Sequence, residues 1–276
     1  MIMILSILEN TYYIFSIAGV AIALAVALYV KKTYKNSIKQ QIANDFFNLL
    51  SVHNELKRNL KLNIKNSITN ISQLYEKREN GGFKFEEKTD YLGLEVFELI
   101  KLDFEILFKE FDLILPHTTN EDNIKFISEI KTFGINIKKD WIRQELLDEI
   151  PKVNDSQNKE LEKIQIVFDK IAHEYKEIIY HYCRNWYNII KFLREKEIES
   201  EFNLKTYANI LQSQISNNEM FILFYNVLWF STNSQRKEYH PINLAKHFDL
   251  FQNIDLGEEI FRKHQEFMTT TISNRP

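Results

Sequence analysis

His173, Glu177, His181, Arg184 and Asn188 follow one another at intervals of four, four, three and four residues, so on a helix they form a single polar stripe. Three kinds of chemistry suit such a stripe. In an RNA-cleaving set, His181 would move a proton while Arg184, with Asn185 beside it, stabilised developing charge. Those three residues are the catalytic candidates, and none is assigned beyond that. In a metal site, "HEYKE" at 173–177 would open a zinc-protease helix, but Glu177 stands where the second histidine is required and no third-ligand motif follows. No metal ligand set is assigned.

The third kind is pairing. A buried guanidinium needs carboxylate or carbonyl partners to offset its desolvation, and the later block "SNNEMFILFYN" offers two polar residues. Glu219 stands three residues after Ser216 in capping-box spacing and is also available to Arg184. Asn226 lies in a nearly all-apolar run and would need hydrogen-bond partners if buried, as a cross-link to the Arg184 helix would provide. We therefore expect a binding or structural polar cluster of His181, Arg184, Asn188, Glu219 and Asn226, in preference to an active site.

Other chemistries lack their residues. Cys183 is the single cysteine, which excludes an intrachain disulfide and a Cys-x-x-Cys metal pair and fits a reducing compartment. It reads as a small packed hydrophobe rather than a nucleophile. No Gly-x-Ser-x-Gly, Walker or other cofactor-binding motif occurs, and no cofactor is expected.

The elements that must position these residues are helices. In 276 residues only six are glycine and four proline, so long helices meet few breaks and hairpin turns lack their usual residues. We expect an all-α protein with an N-terminal single transmembrane helix followed by a cytoplasmic multi-helix bundle. Tyr12 to Val30 carries no charge and is long enough to span a hydrocarbon core of roughly 30 Å. No Lys or Arg precedes it, whereas Lys31, Lys32, Lys35 and Lys39 follow, so the positive-inside rule puts the body in the cytoplasm. A cleaved signal peptide, the rival, lacks its basic leading region. Residues 31–80 hold ten Lys or Arg against four Asp or Glu, a local charge of +6 against −9 in the remainder. Such a flank attracts anionic lipid; binding of nucleic acid is the weaker option. Gly19 with Ala23, and Ala21 with Ala25, have the small-xxx-small spacing that admits a homo-oligomer.

Residues 1–35 are thus expected to form the anchor and basic flank, and 36–276 one helical domain, with 36–78 a stalk helix joining the body. "ENGGF" at 79–83 breaks the stalk. Further helices are expected near 90–111, 121–132 after an Asn120 cap, 138–149, 159–199 as one element, and after Pro241. "PKVNDSQN" at 151–158 reads as a linker. The 11-residue run "MFILFYNVLWF" is too short for a second span and reads as a core helix.

The blocks "FFNLLSVHNELKRNL" at 46–60, "GLEVFELI" at 93–100, "HYCRNWYNIIKFL" at 181–193 and "YANILQSQISNNEMFILFYN" at 207–226 resemble, in this order, the phage abortive infection family, the AbiC-like proteins. The resemblance implies a bacterial anti-phage protein, often with N-terminal hydrophobic segments, that halts phage propagation at the expense of the infected cell. Joined with the apolar span and its basic flank, it leads us to expect a protein of the inner (cytoplasmic) membrane that responds to a phage-derived or host protein as effector or sensor, through protein contacts or membrane perturbation. The family brings no established catalytic set. An aromatic commonly stands in it where Cys183 is, a histidine near Asn188 and a basic residue near Gln212. "RN" at Arg184 and Asn185 also looks like the start of a HEPN-type ribonuclease motif, but residues 186–191 lack the histidine that should follow. That reading, and a non-toxic membrane tether, are the alternatives.

Overall fold

In a computed structural model of the chain, the structure describes residues 2–63, 90–114, 140–156, 158–230, 239–252, 254–257 and 259–270, with side chains described from residue 19 onward except at 113–114, 140–141, 143, 155, 259–260 and 268–270. One helix, α1 (Ile2–Arg58), runs through the apolar segment and its basic flank without a break. It carries no proline, and at 1.5 Å per residue it measures about 85 Å. Its last turn holds Lys57 and Arg58, cations that suit the negative end of the helix dipole. The chain then turns into β1 (Lys61–Asn63), which pairs antiparallel with β2 (Asp90–Leu92). Gly93, at φ 57, closes this junction by donating to the Leu60 carbonyl at 2.9 Å.

The body consists of α2 (Glu95–Ile114), α3 (Asp140–Asp155), α4 (Lys159–Glu174), α5 (Lys176–Ser200), α6 (Lys205–Ser213), α7 (Asn217–Phe230), α8 (Pro241–His247) and the short α9 (Glu259–Arg262) and α10 (Gln265–Thr270). Helix α7 is the centre: every residue from Glu219 to Leu228 is buried. Helices α2 and α4 pack against it and each other, α3 packs on α4, and α8 touches both α5 and α7. Phe104 joins α2 to α7, with its ring 4.2 Å from Tyr225 and 5.4 Å from Phe221. Aromatic pairs at such spacings add about 0.5–1.5 kcal/mol beyond their buried area.

The chain is mostly helical, and the core-helix expectation for residues 220–230 holds. Four boundaries differ. The stalk helix ends at Arg58, because the chain leaves it to form β1, and residues 64–78 lie outside those described. The helix expected from 90 starts at Glu95, since 90–92 are β2. Pro151 does not open a linker; it sits in the last turns of α3, on an exposed position. The single helix expected over 159–199 is two, broken at Tyr175. Tyr175 leaves helical geometry at φ −103 and ψ 26, and its hydroxyl donates to the buried Asp103 carboxylate of α2. The break lets α4 face α2, α3 and α7 while α5 turns to α1, α6 and α8.

The turn at 79–83, the Asn120 cap and the 121–132 helix lie outside the described residues, as do the side chains of residues 12–18 in the expected span. Among the described residues no helix is long and apolar enough to cross a membrane.

A buried polar joint as candidate functional site

On α1, Ile42, Phe46, Leu50, His53 and Lys57 recur at intervals of four, four, three and four and are all buried. They form one stripe against the body, apolar for three members and polar for the last two. Helix α5 brings Tyr182 and Asn185, one turn apart, to the same place, and the first turn of α7 brings Glu219.

Glu219 is the centre of the joint. Its side chain is fully buried, yet its oxygens are well supplied with donors. The Ser216 N–H donates to Oε2 at 2.8 Å, the Tyr182 hydroxyl donates to Oε1 at 2.6 Å, and Lys57 Nζ lies 3.1 Å from Oε1. In return the Glu219 N–H donates to Ser216 Oγ at 3.3 Å, completing the capping box. The positive end of α7 also favours a carboxylate here. Lys57 donates a second bond, at 2.6 Å, to the Gln214 carbonyl. A buried ion pair with this many supporting bonds is satisfied rather than merely close.

His53 lies beside the pair, its ring 4.9 Å from that of Tyr182 and its Nδ1 3.0 Å from Asn185 Oδ1. With Oδ1 accepting, Nδ1 carries the proton and Nε2 is a buried acceptor with no partner. Burial lowers the imidazole pKa to about 4; the Asn185 bond opposes that shift and the Lys57 charge reinforces it. His53 is therefore neutral near pH 7. Burial, then the Glu219 charge, pushes the Tyr182 hydroxyl well above its ordinary value, so it stays a donor. The joint can hold α1 against α5 and α7. Apart from His53 Nε2, its buried groups are engaged with one another.

The expected cluster divides. His181, Arg184 and Asn188 are exposed, because α5 buries the opposite face through Ile179, Tyr182, Cys183, Trp186, Ile189, Ile190 and Leu193. Among the described residues nothing pairs with Arg184; the buried guanidinium expected from sequence is a solvated one. Glu219 is buried as a cap but pairs with Lys57, not Arg184. Asn226 is buried, its Nδ2 has no partner among the described residues, and no hydrogen bond described there joins it to α5. Asn185 alone of the catalytic candidates reaches the joint. Cys183 is buried, which pushes its thiol far above the usual range. Among the described residues no group of three His, Cys, Asp or Glu side chains could hold a metal ion.

His53 and Lys57 were missed in sequence, although their positions continue the stripe of Phe46 and Leu50. A second network, buried at Tyr225, His264 and Lys163 and open at Glu160 and Asp112, was missed as well. The Tyr225 hydroxyl lies 2.7 Å from His264 Nδ1, whose Nε2 lies 2.9 Å from Glu160. Glu160 in turn meets Lys163 at 3.1 Å, and Lys163 meets Asp112 at 2.5 Å. Burial pushes the Glu160 carboxyl up, but the bonds from His264 and Lys163 prevail and hold it below its usual range. This network ties α10's leading turn to α2, α4 and α7.

The molecule is thus defined as a helical body into which a long N-terminal helix is keyed by a buried Lys–Glu pair. Residues 174–259, which contain α5 to α8 and therefore Tyr182, Asn185 and Glu219, match the family described as "Putative phage abortive infection protein". Over that stretch, about a third of the chain, the protein is similar to that family. No curated protein and no solved structure matches the chain.

Proposed function

We propose that the protein is a single-pass anchor-and-body device of phage abortive infection, seated in the bacterial inner membrane with its body in the cytoplasm, and that α1 carries a signal between the two. One observation supports this most. From Val20 to Val30 the apolar side chains of α1 are exposed, with Val20 at 68% and Tyr29 at 71%, and among the described residues nothing covers them, while the other end of the same helix is locked into the family-matched region through Lys57 and Glu219. An apolar helix surface of this extent calls for a lipid or protein partner. The body would act as effector or sensor through contact with a phage-derived or host protein, or by disturbing the bilayer, and Gly19 and Ala23 offer a contact for a second copy.

Deleting residues 1–30 tests the proposal in a plaque assay with protein abundance measured alongside. Protection should be lost at normal abundance; full protection by the truncated protein would refute the membrane half.

A ribonuclease is the second reading, favoured by the exposure of His181 and Arg184 on one face of α5. Total RNA incubated with purified protein and with Arg184→Ala decides it: absence of Arg184-dependent cleavage removes this reading.

A further inference from the structure

Where the bare apolar part of α1 ends, the surface changes abruptly. An open cleft of about 350 Å³ lies between α1 and the turn joining α5 to α6, with Leu28 at one edge and Phe202 opposite. Lys31, Lys32, Lys35 and Lys39 line it together with Asn36. Along the helix the lysines span about 12 Å. Phe202 is set by the end of α5, where Glu201 turns left-handed at φ 57, and the Phe202 N–H donates to Ser200 Oγ at 3.4 Å. The Lys39 ammonium lies 4.9 Å from the centre of the Phe202 ring, a cation–π contact that orders one wall.

Four ammonium groups gathered in one concavity repel one another unless an anion joins them. The donors suit phosphate oxygens: compact lysine charges, with the Asn36 amide able to hydrogen-bond beside them. Leu28 adds apolar surface at the end from which the uncovered stretch of α1 approaches, and Phe202 adds it from the wall beside Lys39. We propose that this cleft binds the phosphodiester headgroup of an anionic phospholipid, with its acyl chains lying along Leu28 and the preceding turns of α1. The proposal rests on the membrane-seated reading above and deepens it: the lysines form a headgroup site built jointly by α1 and the body, not only a diffuse charged flank. The same chemistry would admit free phosphate, which has no acyl chains to place against Leu28 and Phe202.

Titration calorimetry on the full chain in a neutral detergent tests the site, using dihexanoyl phosphatidylglycerol, dihexanoyl phosphatidylcholine and inorganic phosphate as separate probes. Saturable binding of phosphatidylglycerol is expected, with little of either other probe. At roughly fivefold per lysine near an anionic lipid, Lys35→Gln with Lys39→Gln should weaken it about 25-fold. Phe202→Leu should weaken it severalfold while leaving helix content unchanged by circular dichroism. Equal binding of the two lipids, phosphate binding as well as phosphatidylglycerol, or indifference to the double variant would each overturn the proposal. Flotation with neutral vesicles separates the two levels. A chain that floats but fails the titration loses only the headgroup site, whereas one that floats with neither neutral nor anionic vesicles loses the membrane-seated reading and this site with it.

Discussion

The two ends of α1 invert the usual relation between side-chain polarity and burial. Between Val20 and Val30 the helix is apolar and exposed; between His53 and Lys57 it is polar and its body-facing residues are buried. Both belong to one uninterrupted helix, so the difference comes from what surrounds it. Among the described residues the apolar end has no covering neighbour, and the other end meets α5 and α7, which bring Tyr182, Asn185 and Glu219 to receive its histidine and lysine. Burial along a helix follows the available partners. Hydropathy sets only what exposure or burial costs.

The contrast is tested most severely by truncating one side chain at each end. Lys57→Ala leaves Glu219 ionised and fully buried without its cation, and breaking a buried pair in this way costs about 3–5 kcal/mol. Urea unfolding of the full chain in detergent should show that loss. Val26→Ala, at the bare end, should change the same measurement by no more than about 0.5 kcal/mol. A near-neutral Lys57→Ala would mean the joint does not hold α1. Replacing both partners, Lys57→Met with Glu219→Gln, should recover much of the loss, since no unpaired charge is left behind.

His53 sharpens the same contrast through pH. Its folded-state pKa of about 4 lies below the ordinary 6.5, so the unfolded chain binds the proton more readily. The stabilising contribution is complete above pH 6.5 and is lost as pH falls toward 4. At one pKa unit per 1.36 kcal/mol the loss totals about 3 kcal/mol. Stability measured from pH 7 to pH 4 should fall accordingly, and His53→Gln should flatten this part of the profile. An unchanged profile in the variant would place the acid sensitivity elsewhere.

Asn226 is the converse case, a polar group inside α7 with nothing bonded to its Nδ2. Leucine has a similar shape, and a buried unsatisfied polar atom costs about 1–3 kcal/mol. Asn226→Leu should therefore stabilise the body by about 1 kcal/mol in the urea assay. Destabilisation would show that the amide is held by something the Nδ2 geometry does not reveal.

Helical class, the burial of residues 220–228 and the Ser216–Glu219 cap were legible because each is local: few breakers, a continuous apolar run, a three-residue spacing. The break at Tyr175 was half legible, since the apolar pattern changes near Ile178, but the group that receives the Tyr175 hydroxyl there is Asp103 on another helix. The joint was not legible for a related reason. Arg184 and Glu219 drew attention as polar residues within apolar blocks, yet the cation that reaches Glu219 comes from Lys57, far earlier in the chain. Spacing gives the face a residue occupies. Only packing decides which face is covered, and α5 turned the His181–Arg184–Asn188 face outward.

That outward face yields the smallest expected effect on stability and the most informative about function. Arg184 is exposed and, among the described residues, unpaired, so Arg184→Ala should change unfolding free energy by no more than about 0.5 kcal/mol. A buried structural arginine would have cost several times more, so the stability measurement alone decides between the solvated arginine seen here and the paired one that the sequence suggested. With stability unchanged, any loss of phage protection in Arg184→Ala must arise from what the arginine meets outside the folded chain, whether a partner protein or RNA. Lys57→Ala, by contrast, would lose protection together with the fold. The two variants therefore separate the end of the joint that builds the molecule from the face beside it that is free to act.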